Sequence, residues 1–108
     1  MGFADMQRMM RQMQKVQADM VRIQDEVGQR TVESSAGGGA VVAQANGKGE
    51  LTALRIQAEA IDPTDPEMLA DLVLAACNEA LRQAHEMMAQ ELAKLTGQRG
   101  GLPGLPGF

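Results

Sequence analysis

An α+β domain is the fold class that this 108-residue sequence predicts, with element order α-β-β-β-α, a three-stranded antiparallel sheet and two long helices. Two features carry the prediction. Met6, Met9, Met13, Val16, Met20, Ile23 and Val27 recur in alternating steps of three and four, an unbroken apolar seam that suits a helix packed lengthwise on another helix. Between that seam and a second periodic stretch lies a Gly-rich middle whose residues alternate as strand residues do.

The first helix is expected from near Phe3 to near Gly28. With Met6 at heptad position a, Arg8, Lys15 and Arg22 fall at c and Arg11 lies beside them at f. A basic stripe therefore runs opposite the seam, while Asp5, Asp19 and Glu26 fall alongside the seam at g. On sequence alone a solvated face is the simpler account of the stripe, and phosphate contact is the functional one.

Thr31 to Ser34 reads as a short strand, and Ser35 to Gly39 as a flexible connection. The triple glycine is not a phosphate-binding loop, because no Lys-Ser/Thr follows it and a strand, not a helix, comes next. Ala40 to Ala45 forms the second strand, with Val41, Ala43 and Ala45 on one face. Asn46-Gly47-Lys48-Gly49 is a hairpin signal, since Asn and Gly tolerate positive φ. Leu51 to Ala58 is the third strand, with Thr52, Leu54, Ile56 and Ala58 on one face and a wetter face of Ala53, Arg55 and Gln57.

Asp65 suits a helix N-cap, Pro66 the first helical position and Glu67 the dipole. The second helix then runs to about Thr96, with Gly97 ending it. Its first half has a wide apolar stripe rich in small residues and is expected to pack on the sheet. Its second half narrows to Leu81, Ala84, Met88, Leu92 and Leu95 and is expected to pair with the first helix. Residues 1–97 are thus read as one domain and 98–108, rich in Gly and Pro, as a mobile tail. A sheet of short strands cannot cover helices of this length. A two-fold homodimer joined through the sheets, with helical arms projecting, accommodates both.

Composition narrows the function. Phe3 and Phe108 are the only aromatic residues, which argues against stacking on single-stranded bases. Cys77 is the lone cysteine, so there is neither an internal disulfide nor a thiolate metal cage. No apolar run reaches membrane-spanning length, and a cytoplasmic protein without membrane contact is expected. The net charge is −4, yet residues 1–30 carry net +1 and residues 61–96 net −5. Nucleic-acid binding must therefore come from the position of the charges, not from their sum.

No catalytic constellation is visible. His85 has Leu81, Arg82, Met88 and Ala89 at helical spacing, none of which makes it a metal site. Asp62, Asp65, Glu67 and Asp71 gather at the start of the second helix, where capping explains them. A non-enzyme is expected, with no cofactor, no metal and no small-molecule substrate.

The order of motifs resembles the YbaB/EbfC family of bacterial nucleoid-associated proteins. The residues concerned are Met6-Gln7-Arg8-Met9-Met10-Arg11-Gln12-Met13-Gln14-Lys15, the glycine run, and the Asn46-Gly47 turn. Ile61-Asp62-Pro63, Asp65 to Val73, Ala75 to Ala80 and Leu102-Pro103-Gly104 complete the pattern over nearly the whole chain. The resemblance implies an α-β-β-β-α homodimer whose helices project like tweezers. It also implies binding of double-stranded DNA by those arms, with roles in nucleoid organisation, DNA protection and gene regulation. By this resemblance the DNA-binding residues are Arg8, Arg11 and Lys15, joined by Lys94 and Arg99, with Arg22 a weaker candidate nearer the sheet. The third strand and its turn are less basic than in some relatives, which argues against contact between DNA and the sheet.

An alternative reading is a protein-interaction module, such as a helper of a DNA repair or replication complex, that grips its partner with Met-rich arms. Salt separates the two: phosphate binding weakens steeply with it, and an apolar contact does not.

Overall fold

A computed structural model gives the architecture of residues 2–97, with side chains as far as Leu95. The element order is α1 (Phe3–Gln29), β1 (Thr31–Ala36), β2 (Val41–Asn46), β3 (Leu51–Ile56), a 3-10 turn (Ala58–Ala60) and α2 (Pro66–Gly97). The strands form an antiparallel meander in the order β1-β2-β3. The predicted fold class is therefore observed. Residues 98–108, read from sequence as a mobile tail, lie outside the described residues.

The core is thin and built from small side chains. Val41, Ala43 and Ala45 on β2 meet Ala76, Ala80 and Ala84 on α2, and all six are fully buried. Alanine at the contact lets helix and sheet approach closely, and Val32, Ala36, Leu69, Leu72, Val73, Cys77 and Leu81 surround it. As expected, the first half of α2 packs on the sheet and its second half meets α1. Asp65 caps α2 by accepting a hydrogen bond from the Met68 N–H at 3.2 Å.

Several boundaries differ from expectation. β1 runs on to Ala36, because Ser35 and Ala36 pair with Val42 and Val41. The turn takes in Gly37, Gly38, Gly39 and also Ala40, so β2 starts at Val41 and not at Ala40, and the three glycines all have positive φ. β3 stops at Ile56, and Ala58 enters the 3-10 turn. Thr52 is not on the apolar face. A bulge lets Ala45 pair with Leu51 and Gln44 with Ala53, so Thr52 is the extra residue. Its hydroxyl lies 2.9 Å from Gln44 Oε1, in hydrogen-bond contact.

The seam on α1 is only half covered. Val27 is buried and Val16 and Ile23 are partly buried, whereas Met6, Met9, Met13 and, among the covered positions, Met20 are exposed. Within the single chain the start of α1 is therefore left uncovered, as expected of a helix too long for the sheet to cover. At about 1.5 Å per residue, the span from Phe3 to Lys15 is an arm of roughly 18 Å. The Cα radius of gyration is 20.6 Å, against about 13 Å for a compact domain of this size.

The arm is anchored where α1 ends. The Gly47 N–H donates to the Arg30 carbonyl at 3.1 Å, and the Asn46 side-chain oxygen accepts from the Lys48 and Glu50 N–H groups. A Cβ at position 47 would stand 2.1 Å from the Val27 carbonyl oxygen, so the hairpin can approach α1 only with glycine there.

On the outer face of α2, hydrogen bonds from Arg82 and then Gln83 hold the Glu79 carboxyl down at about 2. Because the folded-state value is depressed, the stabilising contribution of this group is present above the ordinary carboxylate range. It is lost as pH falls through that range towards 2.

Two outcomes are expected. Gly47→Ala lowers stability by roughly 1–3 kcal/mol through overpacking, measured by urea unfolding. In an NMR titration, Glu79 protonates near 2 in the native chain and moves back towards 4.5 in Arg82→Ala.

Candidate nucleic-acid interface

Helical spacing sets Arg8, Arg11, Lys15 and Arg22 within one narrow arc of α1, on the side away from the seam. The fold then divides this stripe. Arg8, Arg11 and Lys15 stand on the projecting arm and are exposed. Arg22 lies lower, where α1 meets α2.

Ion pairing separates the same residues. Arg22 reaches Asp19 at 3.5 Å and Glu26 at 3.7 Å. Lys94 reaches Glu91 at 3.1 Å, and Glu91 also receives Arg30 at 3.4 Å. Lys94 first, then Arg30, holds the Glu91 carboxyl below its ordinary range. Arg55 pairs with Glu33, and Arg82 with Glu79 and Glu86. Among the described residues, no ion pair engages Arg8, Arg11, Lys15 or Lys48. Asp5 is the only acidic residue between positions 3 and 15, so the arm is net positive on a net negative chain. Arg99 lies outside the described residues.

Lys48 received no role from the sequence. Its stem crosses Gly28, where a Cβ would meet the Lys48 Cγ at 3.0 Å. The last turn of α1 contains no basic residue, so Lys48 brings a positive charge to the negative end of that helix dipole. It also lines a shallow groove with Val21, Gln24, Asp25 and Met88. No periodic pattern could have shown this, because the contact joins a turn to a helix end about twenty residues away in sequence.

The candidates for other chemistry are accounted for locally. Asp62 accepts hydrogen bonds from the Thr64 hydroxyl at 2.7 Å and the Thr64 N–H at 2.9 Å, which lower its pKa. His85 is exposed, with Nδ1 2.8 Å from the Leu81 carbonyl oxygen. Among the described residues, no group of three or more His, Cys, Asp or Glu side chains could hold a metal ion. None of the helices in the described residues is long and apolar enough to cross a membrane.

The chain is 55% identical over 108 residues to a nucleoid-associated protein of Moorella thermoacetica, covering the whole of both chains. It is 54% identical over 101 residues to a nucleoid-associated protein of Pelotomaculum thermopropionicum, covering 94% of this chain and 95% of that protein. The crystal structure of the uncharacterized protein HP0035 from Helicobacter pylori shares the fold, with a TM-score of 0.62 at 23% identity, over 75% of this chain and 93% of that one. A family model described as the YbaB/EbfC DNA-binding family matches residues 1–99, and the chain belongs to that family.

Proposed function

We propose that this protein is a nucleoid-associated, non-enzymatic DNA-binding protein that works as a homodimer. Its α1 arms contact the phosphates of double-stranded DNA and alter the conformation of the duplex. Family membership supports DNA as the partner. The observation that carries the site assignment is the division of the basic residues: Arg8, Arg11 and Lys15 lie on the arm with no carboxylate partner among the described residues, while Arg22 and Lys94 are already paired. Unpaired cations attract phosphate without first giving up a partner. Contacts of this kind position a protein on the duplex without reading sequence. Weak sequence preference and modest affinity follow, together with a role in nucleoid organisation, DNA protection and gene regulation in the cytoplasm.

The dimer reading rests on a second surface. Leu54 and Ile56 pair with the buried Ala43 and Val41, so they share the face that α2 covers on β1 and β2. On β3, however, they are 46% and 36% exposed. Beside them, Leu69, Val73, Leu74 and Cys77 line an apolar groove on α2. Farther along α2, His85 overlooks Gly49, at the turn that leads into β3. Sheet edge and groove form one apolar strip that a second copy would cover about a two-fold axis, leaving the arms free.

Replacing Arg8, Arg11 and Lys15 together with Ala should flatten the salt dependence of duplex binding by about 0.9 per lost phosphate contact, with the fold intact by circular dichroism. Replacing Arg22 and Lys94 should change it less, because those cations are already partnered; an equal effect would remove the arm assignment. Leu54→Glu with Ile56→Glu should give a monomer by light scattering. A persistent dimer would move the interface elsewhere.

A further inference from the structure

The charged residues of α1 keep to one side of the helix. Between Phe3 and Gln24 every charge stands at heptad position c, f or g: Asp5, Arg8, Arg11, Lys15, Asp19 and Arg22. Positions a, b and e over the same stretch hold only Phe, Met, Gln and Val. α2 takes a different side, where Val16 and Ile23 at d are half-buried. The a/b/e face is left open: Phe3 is 77%, Met10 59%, Met13 63% and Val21 63% exposed. Val21 is open although it shares a groove with Met88 of α2. This face is therefore a second surface of α1, not only the uncovered end of the first.

We propose that this uncharged face of α1 pairs, antiparallel, with the same face of α1 in a second copy of the chain. Met10 of each copy meets Met13 of the other, and Met6 meets Gln17. The contact is separate from the sheet-edge strip, and it is independent of the DNA reading, since Arg8 and Lys15 lie across the helix from it.

Three observations identify this occupant. The first is self-compatibility. A two-fold contact sets a surface against itself, so a charge on it would be buried near its own kind. This face carries none, and the amides of Gln7, Gln14, Gln17 and Gln24 each donate and accept, so they can bond to their own copies. The second is continuity with the α1–α2 contact. With Met10 opposite the second copy's Met13, Phe3 lies over the second copy's Met20, Val21 and Gln24. The last two line the groove that Met88 completes. Methionine suits this position, because its thioether adapts in shape and makes favourable contacts with an aromatic ring. The third is area. The overlap from Phe3 to Val21 is roughly 27 Å long and ~10 Å wide. The pair then buries roughly 550 Å² in all, against about 1,200 Å² or more for a stable complex. Arm pairing is thus weak and reversible, a contact that joins copies already held close.

The test traps the contact covalently. Two versions of the full chain, both with Cys77→Ala, carry Met6→Cys in one and Gln17→Cys in the other, one of them tagged to shift its mass. They are mixed without DNA, so that the result is readable whether or not the protein binds DNA, and oxidised with diamide. Antiparallel pairing sets the two positions opposite each other in the mixed pair. Each is about 16 Å along the axis from its own counterpart, beyond disulfide reach. The mixed disulfide is expected to dominate, with both self-linked products lost. Adding Met10→Gln and Met13→Gln to both chains should cut its yield. Met6→Cys linking to itself, which parallel pairing gives, would overturn the proposal. So would the three products in statistical proportions, no cross-link at all, or a yield that the added glutamines leave unchanged.

Discussion

The close approach of α2 to β2 is the constraint on which the rest of the molecule depends. Alanine on both sides of the contact brings helix and sheet together but fills little volume. One small core holds elements that are roughly 40 and 48 Å long at about 1.5 Å per residue. Surface is therefore left uncovered by construction, at the start of α1 and along β3. The arm and the proposed dimer face both follow from this core.

The second constraint is the glycine contact at the root of the arm. Gly47 lets the β2–β3 hairpin touch the end of α1, and its N–H ties down the Arg30 carbonyl. Lys48 then lies across Gly28. This fixes the direction in which α1 leaves the sheet, and with it the position of Arg8, Arg11 and Lys15. Electrostatics complete the arrangement. Carboxylates near the body of the protein neutralise Arg22, Arg30, Arg55, Arg82 and Lys94, while the arm has only Asp5 against three cations. An acidic protein can thus present a positive limb to an anionic polymer.

Much of this was legible in the sequence because it is periodic or local. The steps of three and four marked α1, the Val41-Ala43-Ala45 alternation marked the buried face of β2, and Asp65-Pro66 marked the start of α2. What was not legible depends on contacts between distant parts of the chain. Strict alternation placed Thr52 on the apolar face, and only the register with β2 reveals the bulge that removes it. Ser35 and Ala36 looked like turn residues until their pairing with β2 extended β1. The basic stripe was visible, but its division was not. Arg22 has carboxylates within its own helix that sequence could have shown at i−3 and i+4, whereas the sharing of Glu91 between Lys94 and Arg30 requires the fold.

The proposed homodimer would bind DNA phosphates through two arms, each with three cations that have no ion-pair partner among the described residues. The most direct measurement is the affinity of the intact dimer for random-sequence duplex DNA across a range of salt concentrations. Six phosphate contacts predict a slope of about −5 in log K against log salt. A slope near zero, or no binding at low salt by an intact dimer, would contradict the claim and leave the arms to a protein partner.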